Sequence, residues 1–173
     1  MRVIGGEFRS RALKSLPGLH TRPTPDRLRE ALFNILAPRI EGADFLDAYA
    51  GTGAVGIEAL SRGARRAIFV ESNRAAAEVI RQNLASLQIE KRAEVFTSKA
   101  VPVLQRKSAD IVFLDPPYKL EPEYAAALSA AQAPLVLAQH SSRLALDERY
   151  GRLQRVRVLK QGDNAISFYE VVI

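Results

Sequence analysis

Hydrophobic and polar positions follow two different patterns along this chain. In the first quarter, apolar side chains recur at helical spacing over residues 28–36, which predicts a helix. Thr24 is the expected N-cap and Pro25 the first helical residue, and the helix should end near Ala37. Before this helix, loose alternation around a Gly-Gly pair over residues 1–16 predicts a short β-hairpin.

Short apolar runs and helical patterns alternate through the rest of the chain. The predicted strands occupy residues 45–48, 67–70, 93–96, 110–114 and 135–138. The predicted helices follow the first four of these strands, at residues 54–62, 73–87, 100–106 and 122–131. This alternation is typical of a mostly parallel, doubly wound α/β sheet. The tail differs, because two extended runs joined by a turn at residues 161–164 predict a hairpin and therefore an antiparallel edge.

Positive charge is concentrated near the N-terminus. The 173-residue chain has a formal net charge of +6, and its first 40 residues hold eight basic and three acidic side chains. A basic segment on a near-neutral body suggests contact with a polyanion, most simply nucleic acid. The candidate phosphate contacts in this segment are Arg2, Arg9, Arg11, Lys14 and Arg22. We expect a basic N-terminal arm at residues 1–22 and a main domain at residues 23–173.

Composition narrows the possible chemistry. The chain has no cysteine and only two histidines, His20 and His140, which are far apart. Disulfides, thiolate catalysis and Cys-ligated zinc are therefore excluded, and we expect no metal site and structural or surface roles for both histidines. No apolar run approaches the ~18 residues of a membrane span, and the N-terminus lacks the apolar region of a signal peptide. We expect a cytoplasmic protein.

A glycine-rich loop lies between the first predicted strand and helix. Its sequence matches G-x-G-x-x-G from Gly51 to Gly56, and Glu71 ends the next strand. Gly51 permits the tight turn, Gly53 lets a ligand approach the backbone, and Gly56 lets the helix pack close to the strand. An acid at the position of Glu71 can accept hydrogen bonds from ribose hydroxyls. This context predicts a nucleotide-containing cofactor.

A carboxylate in the first strand argues against a dinucleotide. Asp47 lies four residues before Gly51, where dinucleotide-binding sequences usually carry a small apolar residue. A buried carboxylate needs partners. Asp47 should therefore orient the glycine loop or meet an ammonium group of the ligand.

The segment after the fourth predicted strand reads Asp115-Pro116-Pro117-Tyr118. Two adjacent prolines remove two backbone donors, which leaves the Asp115 carboxylate and the Pro116 carbonyl as acceptors for an NH2 group. Tyr118 offers a flat face on which a flipped base can stack. Because the first and fourth strands flank the switch point of a doubly wound sheet, cofactor and amino group would meet in one crevice.

With these motifs the chain resembles S-adenosylmethionine-dependent methyltransferases with a Rossmann-like fold. More narrowly, it resembles the RsmD family of bacterial small-subunit ribosomal RNA guanine-N2 methyltransferases. The resemblance covers nearly the whole chain and rests on RVIGGEFR (2–9), RPTPDRLREALFNIL (22–36), FLDAYAGTGAVGIEALSRG (45–63) and DPPY (115–118). The first two of these stretches narrow the class to this family.

The resemblance implies a seven-stranded, mostly parallel sheet with an antiparallel last strand, and S-adenosylmethionine as the cofactor. Asp47, Gly51 and Gly53 would border the methionine part of the cofactor, and Glu71 would hold the ribose. Where such enzymes often carry an Asp or Asn for adenine, this chain has Lys99, which cannot accept that hydrogen bond. Adenine would then rely on backbone groups. The candidate cofactor residues are Asp47, Tyr49, Gly51, Thr52, Gly53, Glu71, Ser72, Lys99 and Ala100.

The implied reaction is methyl transfer from S-adenosylmethionine to the N2 amine of a guanine in small-subunit ribosomal RNA. The substrate would be free RNA or an assembling small ribosomal subunit, and we expect the enzyme to be a monomer without a metal. Candidate catalytic residues are Asp115, Pro116, Pro117 and Tyr118, and Lys119 beside them is a further candidate RNA contact.

Other interpretations remain open at this point. Adenine-N6 methyltransferases of DNA or RNA and protein glutamine-N5 methyltransferases use similar loops, although the chain leaves no room for a DNA target-recognition domain. An NAD-dependent oxidoreductase would explain the glycine loop but not the segment from Asp115 to Tyr118. A non-catalytic RNA-binding module is opposed by the intact Asp115 and Gly53. A thermal-shift comparison of S-adenosylmethionine with NAD separates the methyltransferases from the NAD-dependent oxidoreductase.

Overall fold

The structure is a computed structural model that describes residues 1–18, 24–117 and 120–172. Its helices are α1 (Asp26–Ile40), α2 (Ala54–Ser61), α3 (Arg74–Ser86), α4 (Ala100–Arg106) and α5 (Glu121–Ala130), and a 3-10 turn spans Glu90–Arg92. Its strands are β1 (Asp44–Asp47), β2 (Arg66–Glu71), β3 (Ala93–Thr97), β4 (Ile111–Leu114), β5 (Leu135–Ser141), β6 (Arg149–Tyr150), β7 (Leu153–Gln161) and β8 (Asn164–Val171). These elements agree with the predicted alternation of strands and helices.

One sheet joins all the strands in the described part of the chain, in the order β3-β2-β1-β4-β5-β8-β7-β6. Strands β1 to β5 are parallel, whereas β8 is antiparallel to both β5 and β7. The predicted α/β fold with a mostly parallel sheet and an antiparallel last strand is confirmed. The sheet has eight strands instead of the expected seven, because Arg149 and Tyr150 pair with the start of β7 as the short strand β6.

Hydrophobic residues cover both faces of the sheet. On one face, α1, α2 and α3 pack against strand residues such as Phe45 and Phe69. On the other face, α4 and α5 pack around Val112 and Tyr169. The carboxyl ends of β1, β2 and β4 therefore meet at one edge of a sheet that is buried on both sides, which is where parallel α/β sheets bind ligands.

Residues 1–16 of the N-terminal arm are held against the helices. The expected hairpin is reduced to a single antiparallel bridge between Arg2 and Ala12. Val3 and Leu13 are buried in the core beside α1 and α2. Every residue of α2 is buried, because the sheet covers one side of this helix and the arm approaches from the other. A helix that is apolar all round requires such cover.

The start and end of α1 differ from the prediction. Pro25, not Thr24, is the N-cap residue, and its side chain makes no capping bond. Thr24 is buried, and its hydroxyl donates to the Gln139 side chain of β5 at 2.9 Å, so it is not available for capping. The helix runs past Ala37 to Ile40, whose side chain is buried in the core and holds the last turn in place.

Candidate active site at the carboxyl edge of the sheet

The glycine loop between β1 and α2 has the backbone geometry that its sequence predicts. Gly51 and Gly53 have φ values of 58° and 92°, a region that favours glycine. A Cβ on Gly56 would lie 2.3 Å from the Phe69 ring, so α2 approaches β2 as closely as glycine allows. A Cβ on Gly51 would meet nothing within 4 Å, whereas one on Gly53 would contact Ile80 at 3.4 Å. The open side of the loop is therefore at Gly51.

Asp47 lies under this loop at the end of β1. Its side chain is fully buried, and Oδ2 accepts a hydrogen bond from the Gly56 N–H at 3.0 Å. Burial, together with the negative charges of Asp115 and Glu71, raises the pKa of Asp47 to about 7 against the opposing effect of the Gly56 bond. Asp47 therefore fixes the glycine loop and lies in a site that favours a positive charge.

Glu71 ends β2 and holds the backbone of the glycine loop and of the turn between β2 and α3. Its Oε1 accepts from the Gly51 N–H and its Oε2 from the Asn73 N–H, each at 2.8 Å. A carboxylate oxygen has two lone pairs. Glu71 is thus oriented by the protein and retains acceptor capacity for a further donor, such as a hydroxyl.

Asp115 and Pro116 follow β4, directly beside β1. Asp47 is paired with Phe113, so Asp115 lies two residues beyond the partner of Asp47. Asp115 is half-buried, Pro116 is buried and Pro117 is exposed. The structure brings Asp115 and Glu71 close enough to Asp47 for their charges to raise its pKa. Tyr118, Lys119, Arg22 and His20 lie outside the described residues.

Two tyrosines lie near this site, and only Tyr49 was a sequence candidate. Tyr49 is half-buried, and burial together with the Glu123 charge raises its pKa to about 12. Tyr124 of α5 is fully buried and donates to the Gln139 carbonyl at 2.7 Å. Burial and then the nearby Asp115 charge raise the pKa of Tyr124, so it stays neutral. Tyr124 lies in an alanine-rich helix with no motif, so its proximity to Asp115 could not be predicted from the sequence.

The candidate adenine segment follows β3. The Ser98 N–H donates to the Glu71 carbonyl at 3.1 Å, which ties the segment to β2. Lys99 is exposed and is the N-cap of α4, and Ala100 is buried. Backbone groups at the start of α4 therefore lie next to Glu71. Of the remaining candidates, Thr52 accepts from the Asn83 amide through its carbonyl at 3.1 Å, and Ser72 is exposed.

Two basic residues of the N-terminal arm, Arg11 and Lys14, contact α3, whereas the Arg2 carbonyl accepts from Arg29 of α1. Arg2, Arg9, Arg11 and Lys14 are exposed. Arg11 donates to the Ser86 carbonyl at 3.2 Å and Lys14 to the Gln82 side chain at 3.3 Å. The structure therefore holds the arm on the β1–β3 half of the molecule, because α3 packs against β2 and β3.

A buried ion pair that sequence reasoning missed anchors the arm. Arg29 and Glu58 are both fully buried, and Arg29 Nε lies 3.4 Å from Glu58 Oε1. Glu58 also accepts from the Ile4 and Gly5 N–H groups at 3.0 and 2.9 Å and from Arg62 at 2.8 Å. The sequence feature that could have indicated this ion pair is Glu58 itself, the one acid in the largely apolar helix α2.

The described residues contain neither a group of three possible metal ligands nor a membrane-spanning helix. No three His, Cys, Asp or Glu side chains there are grouped so that they could hold a metal ion. Within the same residues, no helix is both long and apolar enough to cross a membrane.

The strand order, the glycine loop after β1 and the acids that end β1, β2 and β4 define the Rossmann-like methyltransferase fold. The structure of an Escherichia coli protein named "Putative methyltransferase yhhF" superposes on 100% of this chain and 98% of that one, with a TM-score of 0.88 and 32% identity. A Thermus thermophilus 16S rRNA N2 G1207 methyltransferase, solved with AdoMet and guanosine, shares the fold at 21% identity and a TM-score of 0.71. The superposition covers 91% of this chain and 46% of the Thermus thermophilus chain.

Sequence comparison identifies the family. The family model described as "Conserved hypothetical protein 95" matches residues 1–170. A Bacillus subtilis protein named "Putative rRNA methyltransferase YlbH" is 35% identical over 98% of both chains. Ribosomal RNA small subunit methyltransferase D of E. coli is 47% identical over 69% of this chain and 61% of its own length. The chain belongs to the RsmD family, as its resemblance predicted.

Proposed function

We propose that this protein transfers a methyl group from S-adenosylmethionine to the N2 amine of a guanine in small-subunit ribosomal RNA. The observation that carries the proposal is the placement of Asp115 and Pro116 beside β1, next to the glycine loop and two further acids. The names of the two relatives above, both rRNA methyltransferases, support RNA as the substrate.

The residues at the carboxyl edge suit S-adenosylmethionine. Asp47 has a raised pKa because it is buried with two other acids nearby, so a cation beside it would be favoured. The open side of Gly51 leaves room for a ligand to approach the loop. Asp47 would lie toward the ammonium end of the cofactor and Glu71 toward the ribose hydroxyls. When bound, the cofactor supplies an activated methyl group on a sulfonium.

The contribution of the protein to the reaction is alignment. The lone pair of a guanine N2 amine is delocalised into the ring, which makes the amine a poor nucleophile. Hydrogen bonds from the amine to the Asp115 carboxylate and the Pro116 carbonyl would localise that lone pair and fix its direction. Asp115 would orient the amine and stabilise the positive charge that develops on it as the N2–methyl bond forms and the sulfonium–methyl bond breaks. The methylated nitrogen then loses one proton, to the Asp115 carboxylate or to water, and no proton has to leave before the transfer. Orientation of this kind can supply much of a rate enhancement.

The N-terminal arm would bind the RNA. Arg2, Arg9, Arg11 and Lys14 present positive charge on the exposed side of the arm. Replacing Arg9, Arg11 and Lys14 with Ala should weaken RNA binding and lower the salt slope by about 0.7–0.9 per lost contact. Affinity for S-adenosylmethionine should stay nearly unchanged. Wild-type RNA affinity across a salt titration would show that the arm is not an RNA contact.

The test of the proposed reaction is methyl transfer by an Asp115→Ala variant. We expect loss of transfer to small ribosomal subunits from a deletion strain, with cofactor affinity retained, because Asp115 would touch the amine. Asp163→Ala is the matched control, since Asp163 is an exposed acid in the β7–β8 turn at the same edge of the sheet. An active Asp115→Ala enzyme, or one that no longer binds cofactor, would contradict the assignment.

Identification of the methylated product decides between the amino-group substrates. Tritium in N2-methylguanosine after nucleoside analysis is the expected result. Label in N6-methyladenosine or in a protein glutamine would instead support the related methyltransferase classes. A thermal shift with NAD but not with S-adenosylmethionine would refute methyl transfer altogether.

A further inference from the structure

The C-terminal part of the sheet carries a second concentration of positive charge. Between residues 149 and 161 the chain has five basic side chains and no acidic one. They are Arg149, Arg152, Arg155, Arg157 and Lys160. Elsewhere on the surface, Arg65 pairs with Asp44 and Arg66 with Glu94. Within the described residues, none of the five cations forms an ion pair with a carboxylate.

The direction of β7 assigns these cations to different edges of the sheet. Strand β7 is antiparallel to β8, which is antiparallel to β5, so β7 runs parallel to β4 and β5. Arg149 and Arg152 therefore lie at the amino edge, whereas Lys160 lies at the carboxyl edge, where β4 reaches Asp115. Arg157 lies between them along the strand. Arg155 is half-buried and donates to the Leu146 carbonyl at 3.3 Å, so it contributes less to the surface.

Among the described residues, no strand pairs with the outer edge of β7 next to Arg157 and Lys160. Strand β6 pairs only with Leu153 and Gln154, at the beginning of β7. Beyond this point Val156, Arg157, Val158 and Lys160 are exposed. The Arg157 guanidinium lies 5.9 Å from the centre of the Phe168 ring, on the sheet face that carries α1. Lys160 pairs with Ala165 and lies on the opposite face, because successive side chains of a strand alternate between faces. The two cations therefore lie on either side of the outer edge of β7. The acids nearest in sequence are Glu148 before the run and Asp163 after it.

We propose that Arg157 and Lys160, one on each face of β7, bind phosphates of the ribosomal RNA along the outer edge of this strand, opposite the N-terminal arm. This inference rests on the proposed function. Strand β4 lies three strands from β7 and three strands from β3, which is about 14 Å on each side at the usual strand spacing. At ~3.4 Å per nucleotide of one strand, that distance corresponds to about four phosphates. Strand β7 lies on one side of the crevice between β1 and β4, and the arm, held on α2 and α3, lies on the other side. The two would contact the RNA backbone on both sides of the target base.

The test compares two charge-matched double variants of the full chain. Arg157→Ala/Lys160→Ala removes two cations from the proposed surface, and Arg149→Ala/Arg152→Ala removes two from the other end of the same edge region. Binding to a small-subunit rRNA transcript is measured across a salt titration. We expect the first variant to lose several-fold in affinity at low salt, and its salt slope to fall by about 1.4–1.8. The second variant should bind like wild type, and both should bind S-adenosylmethionine normally.

Two outcomes would overturn the inference. Equal losses in both double variants would show a general effect of net charge. Unchanged RNA binding with dimers or aggregates of Arg157→Ala/Lys160→Ala in size-exclusion chromatography would show that these cations only prevent pairing of the open edge. The proposed function is tested separately, by assaying the methyl transfer to rRNA that the wild-type protein catalyses. Neither of these two outcomes would affect the result of that assay.

Discussion

Removal of the Glu58 carboxylate should destabilise the whole fold through the N-terminal arm. In Glu58→Ala, Arg29 stays buried and loses its closest buried acid, with Asp26 left as an exposed partner at 3.2 Å. Breaking a buried ion pair from one side costs about 3–5 kcal/mol, because the remaining charge is uncompensated. The Ile4 and Gly5 N–H groups also lose their acceptor, at about 0.5–1.5 kcal/mol each. Because these effects are not additive, we expect a loss of about 4 kcal/mol.

Equilibrium unfolding in urea at pH 7 measures this loss. Glu78→Ala is the matched control, because Glu78 is an exposed acid on α3 whose contact with Arg81 is 4.0 Å long. Its effect should stay within about 0.5 kcal/mol. The double variant Arg29→Met/Glu58→Leu should recover most of the stability, since apolar side chains can replace a buried ion pair. A loss below about 1 kcal/mol in Glu58→Ala would refute the reasoning.

Three further predictions concern the glycine loop and its acids. Burial raises the pKa of Asp47 from 3.8 to about 7. The cofactor-free wild type should therefore lose stability relative to Asp47→Asn as the pH rises from 4 to 8, by up to about 4 kcal/mol. Parallel pH profiles of the two proteins in thermal unfolding would contradict this. Gly56→Ala should cost about 1–3 kcal/mol because its Cβ would meet the Phe69 ring, and Phe69→Leu should restore part of that in chemical denaturation. Glu71→Gln, which keeps one acceptor for a backbone N–H, should weaken S-adenosylmethionine binding by about 1.5–3 kcal/mol per charged bond lost, and calorimetry showing wild-type affinity would remove Glu71 from the site.

The elements of the sheet and the glycine loop could be predicted because their signals are local. Apolar runs such as that of β4 require burial on both faces, and helical spacing in the intervening segments provides that cover. The G-x-G-x-x-G sequence specifies positive φ at Gly51 and Gly53 and close packing at Gly56, and the structure has all three features. Each of these constraints acts within a few residues.

The ends of α1 and the placement of the arm could not be predicted from local signals. Thr24 has a good capping side chain, but Gln139, more than a hundred residues later, accepts its hydroxyl. Glu58 looks like one acid on a helix surface until the arm and Arg29 are packed against it. In both cases a residue distant in sequence forms the hydrogen bond or ion pair that a buried polar group needs. The hydrophobic periodicity of the sequence does not indicate which residue that is.

The sequence alone determined which residues are the candidates for the chemistry. Asp47 and Glu71 each end a strand that its own apolar run specifies, and Asp115 directly follows another. Only the tertiary structure decided how their charges combine. Side-by-side packing of β1, β2 and β4 buries Asp47 near two other acids and raises its pKa. The tertiary structure also decided where the cations of β7 lie. Because β8 lies between β5 and β7 and is antiparallel to both, β7 is parallel to β5, and Lys160 lies at the same edge of the sheet as Asp115. Strand order is a property of long-range pairing, and burial and electrostatic coupling depend on it.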